Sequence, residues 1–167
     1  MSSNKNFSRR QFIGTTGAVA AGALFVNPVT AMISGAKTKQ KLALVGTGSR
    51  GTSFWGKAII ERYPNEIEFV GLCDINPGRV EYAKKYMGVS CPVFTNFEEM
   101  ILKTKPDTVI VTTVDATHHL FIVKALEMGC NVITEKPLTT DQVKCQAILD
   151  AERKTGKKVI VGFNYRW

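Results

Sequence analysis

Short apolar runs alternate along this chain with longer segments in which apolar residues recur at helical spacing. Such runs, rich in Val, Ile and Leu, predict buried strands, and the segments between them predict amphipathic helices. The predicted strands are residues 41–45, 67–73, 93–94, 108–112, 131–134 and 158–161. The predicted helices are residues 52–63, 77–87, 97–103, 117–128 and 139–155. Strands that are apolar along their whole length, with helices between them, indicate a parallel sheet covered on both faces.

Residues typical of helix ends support these boundaries. Asn76 precedes a proline, as a helix N-cap often does, and Gly88 follows the last helical residue. Asn96 predicts a second N-cap. Thr139, with Gln142 three residues later, matches a capping box and predicts the start of the last helix.

The first predicted strand leads directly into a glycine-rich motif. Its sequence is Gly46-Thr47-Gly48-Ser49-Arg50-Gly51, a full G-x-G-x-x-G that opens a predicted helix. Asp74 ends the second strand, 23 residues after Gly51. Strand, glycine loop, helix and acid together match the dinucleotide-binding fingerprint, in which the helix N-terminus receives phosphate. This predicts a doubly wound Rossmann fold with strand order 3-2-1-4-5-6. The alternative is a plain strand-to-helix turn with Asp74 as a helix cap.

Asp74 favours NAD over NADP as the cofactor. A carboxylate accepts hydrogen bonds from two ribose hydroxyls but repels a 2′-phosphate. Arg79 leaves NADP open, because a guanidinium at this position can pair with that phosphate or stack on adenine. Arg79 as a solvated helix residue is the other interpretation.

Polar residues at the ends of the fourth and fifth strands lie at the same predicted sheet edge as the glycine loop. They are Thr113, Glu135 and Lys136. Lys136 would face the nicotinamide half of a dinucleotide, where partial burial would lower its pKa toward the range for proton transfer. Glu135 would pair with Lys136 or bind a ribose hydroxyl, and a surface salt bridge between the two is the alternative.

The two histidines, His118 and His119, begin the helix that follows the fourth strand. His118 is a candidate catalytic residue, and a local hydrogen-bonding role is the alternative. Two histidines without a matching carboxylate or cysteine cluster predict no metal site.

The first 36 residues have the pattern of an export signal. Arg9 and Arg10 precede an uncharged stretch rich in Ala and Gly, which resembles a twin-arginine signal peptide with cleavage after Ala31 or Ala36. This predicts a chain folded in the cytoplasm, carried by the twin-arginine translocase and located in the periplasm or outside the cell. An uncleaved membrane anchor and a disordered tail are the alternatives.

Charge excludes one class of function. The net charge is +8, of which residues 1–36 carry +3, so the body has +5. Its lysines are scattered at predicted helix ends rather than forming a basic stripe with aromatics between, so nucleic-acid binding is not supported. By size, the body is one domain. We assign residues 37–162 to the dinucleotide-binding domain.

The motifs together resemble the Gfo/Idh/MocA oxidoreductases. Beyond the glycine loop, they are residues 73–77 (CDINP), Thr113 with His118 five residues later, and residues 135–138 (EKPL). The resemblance implies hydride transfer between NAD(P) and a sugar or cyclitol carbon, with Lys136 in the active site. Val114 and Asp115 stand where the family usually has Pro and often Asn.

In that family a second α+β domain follows the Rossmann domain and supplies the substrate pocket and the oligomer interface. Residues 163–167 match the point where the chain leaves the first domain, so we expect a cofactor-binding part without the second domain, inactive by itself. Whether it forms an oligomer is left open. A stand-alone nucleotide-binding module and an NAD-dependent glycosidase of the same family are the alternatives.

Overall fold

The computed structural model describes residues 38–163. The predicted signal peptide and residues 164–167 therefore lie outside the described residues. Within residues 38–163, no helix is both long enough and apolar enough to cross a membrane.

Within residues 38–163, six parallel strands form one sheet. They are β1 (Gln40–Val45), β2 (Ile67–Cys73), β3 (Val93–Phe94), β4 (Thr108–Val111), β5 (Asn131–Glu135) and β6 (Val159–Gly162). Their order in space is β3-β2-β1-β4-β5-β6, so the predicted order 3-2-1-4-5-6 is confirmed. In the register of the central pairs, Val45 lies beside both Cys73 and Val111. The strands therefore end level with one another, at the edge that carries the polar residues.

Helices connect the strands. They are α1 (Arg50–Ala58, continued by Ile59–Arg62), α2 (Pro77–Met87), α3 (Phe97–Thr104), α4 (His118–Glu127, preceded by a 3-10 turn at Asp115–Thr117) and α5 (Gln142–Thr155). Side chains of α1 and α2 pack on one face of the sheet, among them Trp55, Val80 and Met87. Side chains of α3, α4 and α5 pack on the other face, among them Met100, Leu126 and Ile148. The sheet is thus covered on both sides, as predicted.

Two helix starts differ from the prediction. The Arg50–Ala58 part of α1 is π-helical and begins two residues earlier than expected. Helix α5 begins at Gln142, and its N-cap is Asp141, whose carboxylate accepts a hydrogen bond from the Lys144 N–H at 2.9 Å. The predicted capping box at Thr139 is therefore wrong, because Asp141 supplies the acceptor two residues further on.

The other predicted caps are confirmed. Asn76 accepts a hydrogen bond from the Arg79 N–H, and Asn96 accepts one from the Glu99 N–H. Gly88 ends α2 in the left-handed conformation.

Candidate functional site

The glycine loop, residues 46–51, packs closely against the end of β4. Gly46 has φ +88°, and a Cβ there would lie 2.6 Å from the Thr112 carbonyl carbon. A Cβ on Gly51 would lie 2.5 Å from the Thr112 hydroxyl. That hydroxyl donates a hydrogen bond to the Gly46 carbonyl oxygen at 2.6 Å. The first and third glycines of the motif are therefore required by contact with neighbouring backbone and side chain.

The middle of the loop faces open space. A Cβ on Gly48 would have no heavy atom within 4 Å. The Thr52 hydroxyl donates to the Thr47 carbonyl at 3.0 Å and holds the loop to the first turn of α1. Ser49 and Arg50 are exposed at that helix start. This open space leaves room for a phosphate, and the binding of one by the loop stays a prediction.

Asp74 connects the glycine loop to the end of β2. Its side chain is buried, and one oxygen accepts hydrogen bonds from the Thr47 N–H at 2.7 Å and the Thr47 hydroxyl at 3.0 Å. The other oxygen accepts from the Asn76 N–H at 2.9 Å. Helix α2 is capped by Asn76, so the alternative of Asp74 as its N-cap is wrong. Binding of ribose by Asp74 stays a prediction.

A cavity of about 500 Å³ lies beside Asp74. This volume falls within the range of small-molecule sites. Polar groups of the loop and apolar side chains line it together: Gly46, Gly48, Asp74, Arg79, Thr113 and Phe121 are among its lining residues. Arg79 also lines an adjacent groove of about 490 Å³ on the α1–α2 side of the loop. The exposed Arg79 therefore lies where it could contact a nucleotide, and its role stays a prediction.

His118 lies behind the sheet edge and connects two loops. It is 1% exposed. Its Nδ1 lies 2.9 Å from the Pro137 carbonyl oxygen, and its Nε2 lies 3.0 Å from the Thr113 carbonyl oxygen. A neutral ring donates to one of these carbonyls and a protonated ring donates to both. Catalysis by His118 stays a prediction, and direct proton exchange with a substrate would require the ring to leave these carbonyls.

Thr113 lies in the loop after β4, at the wall of the cavity. Its hydroxyl accepts a hydrogen bond from the Thr117 hydroxyl at 3.0 Å. The structure thus brings Thr113 to the same edge as the glycine loop and Asp74.

Lys136 follows the last residue of β5 and is exposed. The partial burial that was expected for this side chain is not found among residues 38–163. The peptide between Lys136 and Pro137 is cis. Lys136 thus stands at the predicted edge, with its ammonium group accessible.

Glu135 does not pair with Lys136 through the two side chains. It is buried, and one oxygen accepts hydrogen bonds from Arg50 Nε and from Trp55 Nε1, both at 2.6 Å. Burial alone would raise the pKa of Glu135, but these two hydrogen bonds and the Arg50 charge outweigh it and lower the pKa. The alternative of a surface salt bridge between Glu135 and Lys136 is wrong, because the carboxylate turns inward to α1.

Trp55 was not among the predicted site residues. Nothing in the local pattern marks it as a polar partner, since an indole on an amphipathic helix is usually a core residue. The sequence did contain a signal for the other partner, Arg50. A glutamate that ends an apolar strand needs a charged partner if it is buried, and the glycine loop contains an arginine.

Known proteins resemble the chain over this same region. The oxidoreductase YteT of Bacillus subtilis is 39% identical over 132 residues, which are 77% of this chain and 31% of YteT. The inositol 2-dehydrogenase/D-chiro-inositol 3-dehydrogenase of Lactiplantibacillus plantarum is 26% identical over 124 residues, which are 74% of this chain and 35% of that enzyme. The chain thus spans about a third of the length of these relatives.

Solved structures show the same fold. The WlbA dehydrogenase of Chromobacterium violaceum, in complex with NADH and UDP-GlcNAcA, superposes with a TM-score of 0.71 and 27% identity, over 77% of this chain and 36% of that one. The myo-inositol dehydrogenase of Lactobacillus casei, in complex with NAD(H) and myo-inositol, gives a TM-score of 0.68 and 28% identity, over 77% of this chain and 38% of that one.

The family itself is also matched. Residues 40–163 fit the model described as "Oxidoreductase family, NAD-binding Rossmann fold". The matched residues contain the glycine loop, Asp74 and Lys136, and the residues present fit the NAD that this fold binds. The predicted resemblance is confirmed, and the chain belongs to the Gfo/Idh/MocA oxidoreductase family.

Proposed function

We propose that this chain is the cofactor-binding part of an enzyme that transfers hydride between NAD and a carbon of a sugar or cyclitol. One observation carries the proposal: Lys136 is exposed at the same sheet edge as the glycine loop and Asp74. In doubly wound sheets, ligands bind beyond the carboxyl ends of the strands. An accessible ammonium group therefore stands beside the place where a dinucleotide binds.

The residues have separable roles in this proposal. Bound NAD would accept or return the hydride. The glycine loop would hold the phosphates, and Asp74 would accept hydrogen bonds from the adenosine ribose. Lys136 would donate a hydrogen bond to the reacting oxygen of the substrate and stabilise the negative charge that develops there. Thr113 and Arg79 line the cavity and would contact the nucleotide.

The substrate class rests on the relatives. Two of them are inositol dehydrogenases, and WlbA was crystallised with a nucleotide sugar. These enzymes are about three times as long as the matched region. We therefore propose that residues 37–167 bind NAD but do not turn over a sugar by themselves. Holding a substrate in position can supply about 7–11 kcal/mol of a barrier, and one exposed lysine cannot provide that.

The test is a cofactor titration followed by an activity panel. Residues 37–167 should bind NADH in a calorimetric titration and show no turnover with NAD and a panel of sugars and cyclitols. Adding the remaining part of a homologous enzyme should restore turnover, and Lys136→Ala should remove it again. Turnover by residues 37–167 alone that is lost in Lys136→Ala would contradict the proposal that these residues bind NAD without catalysing the reaction. NADH binding without any restored turnover would favour the stand-alone binding module.

We also propose that the chain is exported in a folded state. The support is the pair Arg9 and Arg10 ahead of an uncharged, Ala-rich stretch. Replacing both with Lys should retain the protein in the cytoplasm in a fractionation experiment, and the mature N-terminus should be Met32 or Lys37. Unchanged export of the double variant would refute the twin-arginine route, and an intact Met1 in the membrane fraction would indicate an anchor.

A further inference from the structure

Glu135 is the buried centre of a polar cluster that joins three parts of the fold. Its exposure is 7%. Arg50 lies in the glycine loop, Trp55 lies on α1, and both donate to the same carboxylate oxygen at 2.6 Å. The other oxygen accepts from the backbone N–H of Lys136 at 3.3 Å. A buried carboxylate is stable only when it is paired and hydrogen-bonded, and here both conditions are met.

Both donors lie on the π-helical start of α1. In a π-helix, backbone hydrogen bonds join residues five apart, and Arg50 and Trp55 are separated by five. The Arg50 guanidinium also lies over the Phe54 ring, 4.1 Å from its centroid. The Phe54 and Trp55 rings meet edge to face at 5.3 Å. Arg50 is therefore held on two sides, by a carboxylate and by an aromatic ring.

Trp55 extends the cluster to the last strand. A Cβ on Gly162 would lie 2.7 Å from the indole ring. Gly162 is the neighbour of Glu135 in the β5–β6 register. The indole therefore fills the space in front of Gly162 and is fixed in orientation by its hydrogen bond to Glu135.

This arrangement has a consequence for Lys136, the next residue in the chain. The Arg50–Glu135 ion pair spans the sheet edge from the loop after β1 to the end of β5. In this fold the two halves of the sheet bind the two halves of the dinucleotide. We propose that Glu135 is a positioning residue, which acts through Arg50 and Trp55 to hold the end of β5, with Lys136, where the nicotinamide half of NAD binds. The inference rests on the proposed function, in which Lys136 faces that half.

The test compares two ligands on the full-length chain. ADP occupies only the adenosine side, and NADH occupies both sides. Glu135→Gln keeps the size of the side chain but removes its charge. We expect the Kd for NADH to rise about tenfold, since the charge that strengthens both hydrogen bonds of the cluster is lost, while the Kd for ADP stays within about twofold.

Two further variants separate positioning from direct contact. Trp55→Phe keeps an aromatic ring but removes the donor, and it should also raise the Kd for NADH and leave that for ADP unchanged. The double variant should bind NADH about as weakly as Glu135→Gln alone, because the residues act as one unit. Glu99→Gln is the matched control: Glu99 is half-exposed and pairs with Lys103 on α3, away from the site, so neither Kd should change.

The possible outcomes are distinct. A selective loss of NADH affinity in both Glu135→Gln and Trp55→Phe would support the inference. Equal losses for ADP and NADH would show that the cluster only stabilises the fold and would overturn it. Unchanged NADH affinity in Trp55→Phe would also overturn the inference. Glu135 would then affect NADH binding without its hydrogen bond from Trp55. If the unchanged chain binds neither ligand, the proposed function fails, and this inference fails with it.

Discussion

The two halves of the sheet edge are built in opposite ways. In the glycine-loop half (residues 46–51 and Asp74), polar groups turn inward, bind one another and shape the wall of a cavity. In the lysine half (residues 112–118 and 135–137), Lys136 is exposed, and the buried side chains of His118 and Glu135 are hydrogen-bonded inside the fold. The first half resembles a finished binding site. In the second half, the backbone N–H of Lys136 donates to the buried Glu135, while the Lys136 side chain is exposed.

The two halves should therefore respond differently to substitutions. Changes in the glycine-loop half should alter shape and affinity together, because the same atoms do both. In the lysine half, substitutions of different residues should have different effects. Substitution of the exposed Lys136 should alter chemistry, and substitution of the buried residues should alter the position of Lys136 and the stability of the fold.

The largest effect should come from Gly46→Ala, in the glycine-loop half. The left-handed φ and the approach of the Thr112 backbone to 2.6 Å leave no room for a methyl group. We expect a loss of about 3–5 kcal/mol in the free energy of unfolding, from strain and overpacking together. Chemical denaturation would measure it.

Gly88→Ala is the matched control for that experiment. Gly88 has a similar φ of +70°, but a Cβ there would have no heavy atom within 4 Å. Gly88→Ala should lower the free energy of unfolding by about 1–2 kcal/mol, because only backbone strain is added. Equal losses in the two variants would show that contact with Thr112 does not define the loop.

The second effect should be His118→Leu, in the lysine half. The change leaves the Thr113 and Pro137 carbonyls without the ring that now lies between them. We expect the free energy of unfolding to fall by about 2–3 kcal/mol, since a buried carbonyl loses the hydrogen bond that the neutral ring donates to it. Lys136→Ala should cost almost nothing in the same denaturation experiment, because Lys136 is exposed. If His118→Leu were as stable as the unchanged protein, the buried groups of this half would matter no more for stability than the exposed Lys136 does.

A third effect concerns cofactor affinity. Asp74→Ala should weaken binding of NADH and of ADP alike, by about 1.5–3 kcal/mol for each charge-assisted hydrogen bond lost. The unchanged protein should bind NADH more tightly than NADPH. Thr47→Val removes only the hydroxyl that donates to Asp74 and should have a smaller effect. Equal or tighter NADPH binding in a calorimetric titration would overturn the Asp74 argument and favour a role for Arg79.

The smallest effect should be a pH dependence in the lysine half. The folded-state pKa of Glu135 lies below its unfolded value. Its stabilisation is therefore fully present above the ordinary glutamate pKa of about 4.3 and is lost as the pH falls through the lowered value. Denaturation of Glu135→Gln at several pH values should show a shallower fall in stability on acidification. Parallel curves for the two proteins would exclude Glu135 as a source of that fall.

Local sequence patterns predicted most of the fold but only part of the candidate site. Strand order, the glycine loop and the caps at Asn76 and Gly88 follow from neighbouring residues, and the structure confirms them. The Glu135 cluster joins residues 80 and 85 positions apart, so no local pattern reports it. The cap at Asp141 was missed because Thr139 and Asp141 both carry a side-chain oxygen that can cap a helix, and the local pattern does not distinguish them.

The central place of β1 has a consequence for how the chain folds. β1 pairs with β2 on one side and with β4 on the other, and β4 begins at Thr108. A ribosome delivers the N-terminal strands first, so one edge of β1 stays without its partner until more than sixty further residues have been made. An apolar strand with an open edge is a site for wrong pairing. We therefore expect that synthesis paused before residue 108 would leave an aggregation-prone nascent chain, and that passing this point would relieve the hazard.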